Sequence, residues 1–381
     1  MSRKILCGAR VFDGTSLRSG YSLVIEGGLV VAIAPDSEVP DGACERLSGG
    51  ILAPGFLDLQ VNGGGGVMLG DVPSVEGIAR ICAAHRALGS LHITPTLITD
   101  TPETTAKVLA AGIAAGRAGV PGFAGLHLEG PHLDPRRKGA HDPARIRPMT
   151  EEDLGLLCRA AADLPALMVT LAPEAATPEQ IARLAEAGVV VSLGHSDTAL
   201  EPARAAFVAG ARCVTHLFNA MSQLGSREPG LVGAALDAPA VYAGLIADGI
   251  HVAPETLRAA IAAKRGADRL FLVSDAMAAA GTDMAEFSLG GRPIYRRDGR
   301  LTLADGTLAG ADITLPAAVK ILVQLVGRPI DEALRMVTTI PAACIGAEDH
   351  LGRLAIGRAA DLVQLSDDLE LVRVWAAGQA L

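Results

Sequence analysis

Eight short apolar runs recur between residues 51 and 275, and alanine-rich helical stretches separate most of them. The runs are 51–60, 91–98, 122–129, 167–172, 188–194, 212–217, 241–248 and 270–275. Helical periodicity fills 74–88, 101–117, 151–163, 177–187, 199–209 and 254–265. Strand, helix, strand in this rhythm calls for a parallel sheet, because each crossover packs a helix over a pair of strands. Eight repeats match a (β/α)8 TIM-type barrel. A doubly wound α/β sheet shares the periodicity and stays open as an alternative. Its dinucleotide fingerprint is missing, since NGGGG at 62–66 lacks the G-x-G-x-x-G spacing after the first run.

The flanks read differently. Residues 2–50 are short β-type runs broken by Gly and Pro, and β character returns from about Gly352 onward. Two β tails around a barrel suggest that they pair into one small sheet unit. Residues 286–304 read as a β-hairpin insertion, and 312–326 and 330–346 as two or three helices. The expected division is 1–52 and 351–381 for the β unit, with 53–350 for the barrel.

A net charge of -9 argues against a general nucleic-acid binder, which would carry a basic patch. No apolar run is long enough to span a bilayer, and the first residues lack the apolar core of a secretory leader. Six cysteines occur without a C-x-x-C pair, so reduced, mostly buried thiols in a cytoplasmic protein are expected.

Four chemistry-bearing residues stand at the ends of apolar runs. Glu129 closes GLHLEGP, His195 follows VVVSLG, His216 follows RCVT and Asp275 follows LFLVS. In a barrel, the C-terminal strand ends face one pocket. Two imidazoles and a carboxylate there suit a zinc-type ion with a position left open for water. Asp275 is then placed for general acid–base work. Each residue alone has a plainer reading, as a turn cap or a core histidine. Their joint placement favours the metal site. His141 and His251 lie in loops after the third and seventh runs and can face the same pocket. His85, His92, His132 and His350 read as structural, and His127 as packing or a support beneath Glu129. Asn219, Ala220 and Arg227 follow His216, and Arg136, Arg137 and Lys138 precede His141. They offer donors for an anionic group or a solvated surface.

The segments APGFLDLQVNGGGGV, GLHLEGPHLDPRRKGAH, SLGHSD, THLFNAMS, SREPGLVGAAL, LIADGIHV, LVSDAMAAAG, LAGADITLP and GRLAIGRAADLV resemble the N-acetylglucosamine-6-phosphate deacetylases of the amidohydrolase superfamily. The resemblance spans essentially the whole chain, in order. HLEGP with KGAH, and HLFNAMS, are its most specific pieces. It implies a (β/α)8 barrel with a β-sandwich built from both termini. It implies metal-dependent hydrolysis of N-acetylglucosamine 6-phosphate to acetate and glucosamine 6-phosphate in amino-sugar catabolism. Glu129, His195 and His216 match its metal ligands and Asp275 its acid–base. His141, Asn219, Ala220, His251 and Leu308 match substrate contacts. Arg227 matches a phosphate contact supplied across a homodimer.

One departure bears on the metal. Where many amidohydrolases carry H-x-H after the first strand, this chain has Asp58-Leu59-Gln60. That implies one divalent ion per chain, zinc first and Fe2+, Co2+ or Mn2+ as alternatives, with Gln60 at a weak second position. Rival expectations are deacetylation of N-acetylgalactosamine 6-phosphate, hydrolysis of a cyclic amide, or a non-catalytic binding protein on the same scaffold. The retained site residues disfavour the last.

Overall fold

The computed structural model describes residues 3–39 and 44–381. Eight parallel strands follow one another round a single sheet in chain order. They are β1 (Leu57–Val61), β2 (His92–Ile98), β3 (Leu126–Glu129), β4 (Leu167–Leu171), β5 (Val190–Leu193), β6 (Cys213–Val214), β7 (Tyr242–Leu245) and β8 (Leu270–Leu272). Closure runs beyond the ends of β1 and β8. Val61 and Ala276 form a parallel bridge, Asn62 N–H donates to the Ala276 carbonyl at 2.8 Å, and the Ser274 N–H reaches the Asp58 carboxylate at 3.2 Å. The doubly wound alternative is thereby excluded, and the fold is the TIM-type barrel.

Eight helices cover the outside: α1 (Val75–Ala87), α2 (Pro102–Arg117), α3 (Glu151–Ala161), α4 (Pro178–Glu186), α5 (Leu200–Val208), α6 (Gly230–Asp237), α7 (Pro254–Ala263) and α8 (Leu315–Gln324). Their starts are chemically marked. Ser74, Thr101, Thr150, Thr177 and Thr314 each accept a backbone N–H two or three residues into the helix. Such a cap contributes about 1 kcal/mol and fixes where the helix begins. The sequence pattern did not announce α6. Seven of its residues, Gly230 to Leu236, are buried, so it has no polar face and no helical period.

The first apolar run, read as one strand over 51–60, is two strands. Ile51–Pro54 pairs with Arg10–Phe12 on one side and Leu362–Leu365 on the other. Gly55 and Phe56 break the run, and β1 starts at Leu57. Both termini thus meet on one strand, in a six-stranded sheet. A second, four-stranded sheet contains Arg3–Cys7, Tyr21–Glu26, Leu29–Pro35 and Cys44–Arg46. Leu6, Val11, Leu23, Ile25, Leu52, Leu362 and Trp375 fill the space between the sheets, which makes this unit a β-sandwich. Cys7 and Cys44 form a disulfide there. This corrects the expectation of reduced thiols throughout. Strand Arg3–Cys7 pairs with Cys44–Arg46, with Ile5 opposite Cys44, and that pairing brings the sulfurs together. Cys82, Cys158, Cys213 and Cys344 stay free.

The insertion after β8 is larger than a hairpin. Four antiparallel strands, Glu286–Leu289, Arg292–Arg297, Arg300–Thr302 and Leu308–Ala311, form a flap joined to the barrel through an Ala276–Ala311 bridge. Helices Ile330–Arg335 and Thr339–Cys344 lead back to the terminal strands. No helix among the described residues is long and apolar enough to cross a membrane.

Candidate active site

Glu129 is the last residue of β3, and His195, His216 and Asp275 stand two or three residues past the ends of β5, β6 and β8. The last three have φ of 49°, 30° and 49°. Left-handed backbone just past a strand turns the chain sharply, at a cost to any side chain that Asn, Asp and His bear better than most. All four side chains are buried at the barrel mouth.

Glu129 Oε1, His195 Nε2 and His216 Nε2 converge. The carboxylate oxygen lies 3.2 Å from His195 and 3.0 Å from His216, and the two ring nitrogens are 3.1 Å apart. Protons alone do not satisfy this triangle. If both rings donate to Glu129, two N–H groups face each other. His195 Nδ1 lies 2.8 Å from the Arg137 carbonyl, to which it can only donate. A neutral His195 therefore offers its Nε2 lone pair to the centre. Burial pushes the Glu129 carboxyl up, but hydrogen bonds and charge from His195 and His216 outweigh it and hold it well below its usual range. A tetrahedral ion bound at about 2.1 Å separates its donors by roughly 3.4 Å, close to the spacing here. These three residues can hold a divalent cation.

His141 also has a ligand-capable atom close to Glu129 and His195. Its environment makes it a donor instead. The Thr99 N–H points at His141 Nδ1 from 3.3 Å, and the Thr99 hydroxyl is 2.8 Å from the same nitrogen. With Nδ1 accepting, the proton sits on Nε2, 4.0 Å from Glu129 Oε2. Burial first, then the neighbouring His195, pushes the His141 pKa down to about 3, so the ring is neutral.

Asp275 Oδ1 accepts two bonds, from Asn62 Nδ2 at 2.7 Å and Gln60 Nε2 at 3.1 Å. The same Gln60 nitrogen is 3.1 Å from Glu129 Oε1, so it bridges the two carboxylates. Burial, then the charge of Glu129, pushes the Asp275 pKa up to about 6. Asp58 faces backbone N–H groups of Gln60 and Ser274 and is fully buried. Burial pushes its pKa up to about 7.

A cavity of about 540 Å³ opens above these groups. Asn219, Ala220, His251 and Leu308 line it, as do Arg136 and Arg137. Lys138 and Arg227 do not. Arg137 is tied to Asp197 at 2.6 Å and Arg136 to Asp134 at 2.7 Å, so neither is a free cation. Arg227 is exposed and makes no hydrogen bond or ion pair among the described residues. His251 Nδ1 donates to Asp248 Oδ2 at 2.6 Å, which leaves its Nε2 as the ring's second functional nitrogen. Burial alone would raise the Asp248 carboxyl, but the bond and charge of His251 hold it below its ordinary value. His127 lies below the site, bonded to the Leu59 carbonyl and the Thr170 hydroxyl, as a buried support. His85 bonds the Gly63 carbonyl and His92 the Asp361 carboxylate, both away from the cavity.

Sequence reasoning missed three residues. Thr99 and Asn62 are small polar residues beside a strand end, with no motif of their own. Asp248 had a readable signal, an acid three residues before a loop histidine in DGIH.

Comparison with known proteins agrees with this geometry. The profile of the amidohydrolase family matches residues 51–381. An N-acetylgalactosamine-6-phosphate deacetylase of Shewanella sp. (strain ANA-3) is 39% identical over 98% of this chain and 95% of its own length. An N-acetylglucosamine-6-phosphate deacetylase of Haemophilus influenzae is 36% identical over 94% of each chain. The crystal structure of the N-acetylglucosamine-6-phosphate deacetylase from Pasteurella multocida superposes with a TM-score of 0.94 at 35% identity, covering all of both chains. On fold, site geometry and sequence together, the chain belongs to the amidohydrolase family of hydrolytic enzymes.

Proposed function

We propose that this enzyme hydrolyses the N-acetyl group of N-acetylglucosamine 6-phosphate, giving acetate and glucosamine 6-phosphate. The observation that carries the reading is the Glu129–His195–His216 triangle with Asp275 beside it. A divalent ion held by those three residues, zinc in our reading, supplies Lewis acidity that brings water toward ionisation near neutral pH and polarises a carbonyl. Asp275 takes a proton from the water that attacks the acetamide carbon. Its Oδ1 is held by Asn62 and Gln60, which leaves Oδ2 for that proton. His141 donates Nε2–H to the carbonyl oxygen as negative charge grows there. The C–N bond then breaks, and Asp275 returns the proton to the departing nitrogen. Asn219, Ala220, His251 and Leu308 bind the sugar phosphate.

Gln60 supports a single ion. Its amide nitrogen donates to Glu129 and Asp275, which aims N–H groups rather than the metal-binding oxygen at the two carboxylates, and Asp58 accepts backbone N–H groups. One ion per chain is expected by elemental analysis of the purified protein, and two would refute this assignment. Arg227, exposed and unpaired, fits a role in the active site of a second copy, so the working unit in this reading is a homodimer.

The galacto epimer is a second reading, favoured by the 39% identical Shewanella relative. Acetate release from both epimers, measured as purified, after chelation and after zinc is restored, tests both. Activity lost on chelation and regained with metal supports the reaction, and the kcat/KM ratio decides the epimer. A metal-loaded protein that releases acetate from neither sugar overturns the proposal.

A further inference from the structure

A second cavity, of about 250 Å³, lies beside the main one on the β1–β2 side. The two share three wall residues, Asn62, Ile98 and Leu289. Ile98 is the last residue of β2. Leu289 ends the first strand of the flap, directly before Gly290 and Gly291. Both glycines have positive φ and nothing within 4 Å of an added Cβ, so the turn they make is open. Leu289 is 4% exposed and belongs to an apolar cluster with Met68 and Met277, against which Ile98 packs. Ile98, Leu289 and Met68 therefore give the near wall of the side cavity an apolar stretch beside Asn62. The rest of its lining is polar, with Asp71, Asp142 and Arg292 beside the Asp100–Arg145 ion pair, so the apolar stretch reaches only as far as Met68.

The main cavity has two chemically different ends. Toward β6 and β7 it offers Asn219, the Ala220 backbone and His251, which suit hydroxyls and a phosphate, with Ile246 as an apolar contact on that side. Toward β1 and β2 it offers Ile98, Leu289 and Met277. A scissile amide held near Asp275 and His141 has a sugar on its nitrogen and an acyl chain on its carbon. The polar end takes the sugar, so the acyl chain points to the apolar end.

We propose that Ile98 and Leu289 form a removable partition that sets the length of N-acyl group this enzyme accepts, with the side cavity as unused acyl space behind it. The inference rests on the assignment of an N-acyl hexosamine phosphate to the main cavity. In the native enzyme the two side chains stop the acyl group at acetyl. Shortening either joins the cavities and admits a longer chain along Met68.

The test compares kcat/KM for N-acetyl-, N-propionyl- and N-butyryl-glucosamine 6-phosphate, followed by release of the free amine. Ile98→Ala should raise the butyryl-to-acetyl ratio by about tenfold or more, because each methylene placed in or kept out of an apolar pocket changes the rate constant by about that factor. Leu289→Ala should act in the same direction. Ile98→Ala is decisive on its own, since Ile98 is only half-buried and its loss leaves the flap core intact. Ile246→Ala, on the β7 side of the same cavity, should alter all three substrates alike. A ratio in Ile98→Ala within about twofold of native overturns the partition, as does an equal shift in Ile246→Ala. Native enzyme inactive on every N-acetyl sugar phosphate would instead overturn the reaction assignment, and the acyl subsite with it.

Discussion

His195, His216 and Asp275 all hold left-handed backbone at the barrel mouth. Such a conformation costs a non-glycine residue on the order of 1 kcal/mol or more, and it clusters where function demands a particular side-chain direction. Asp275 carries a second burden, a buried carboxylate close to Glu129, which pushes its pKa up to about 6. Asn tolerates the left-handed region well and carries no charge. Asp275→Asn should therefore melt at or above the native temperature and keep its metal content. Its kcat should fall by about 10²–10⁴-fold, the usual contribution of a positioned acid–base. A variant that keeps most of its kcat would show that Asp275 is not that group. Glu129, His195, His216 and Asp275 were legible in the sequence because each follows an apolar run, and the barrel rule converts such positions into one pocket. The backbone strain beneath three of them was not, because φ leaves no mark in a sequence when the residue is not Gly. Thr99 and Asn62 were hidden for another reason. Their importance is which atom they bond, and nothing in TLITD or QVNGG reveals it.

At the scale of elements, α1 does more than cover β1 and β2. Its last turn carries His85, whose Nε2 sits 2.9 Å from the Gly63 carbonyl, in the loop that also carries Asn62. The contact requires glycine beside it, because a Cβ on Gly64 would stand 2.8 Å from His85 Nε2. Burial pushes the His85 pKa down from 6.5 to about 4. The unfolded chain, with an ordinary imidazole, binds more protons between those values. The neutral buried ring is thus fully tolerated above pH 6.5, and stability is lost as pH falls from there toward 4. The shift corresponds to about 3 kcal/mol at its fullest. His85→Gln keeps an N–H for Gly63 and removes the titration. Urea unfolding at pH 7 and pH 4.5 should show a smaller acid loss for the variant than for the native protein. An equal loss in both would place the acid sensitivity elsewhere, His127 being the next candidate with a pKa also near 4. Elements with one wet face, such as α3 and α4, were legible because their period survives. Helix α6 and the break at Gly55 were not, since total burial erases the contrast from which periodicity is read.

The whole molecule is organised around one strand. Ile51–Pro54 is the central link of the six-stranded sheet and runs through Gly55 and Phe56 straight into β1. Its two faces serve two cores. Ile51 and Ala53, with Val363, Leu365 and Val374, belong to the barrel's apolar cluster. Leu52, with Leu362 and Trp375, belongs to the sandwich cluster. Period-two alternation of a fully buried strand produces this, and from sequence it looked like one continuous apolar run. The Cys7–Cys44 pairing was hidden too, because nothing local announces that their strands pair. A sheet with one face in each core should not unfold one unit at a time. The protein supplies its own reporters. Trp375 is the single tryptophan, fully buried in the sandwich, while α1 to α8 all lie on the barrel. Heating should therefore give coincident transitions by tryptophan fluorescence and by helical circular dichroism. The disulfide should not change this, since Cys7–Cys44 braces the outer, four-stranded sheet rather than the shared one. Adding reductant should move both transitions down together by a few degrees. A fluorescence transition well below the helical one, with or without reductant, would mean that the sandwich melts off an intact barrel. The shared strand would then be a hinge between two independent units, and the barrel core would have to hold β1 without it.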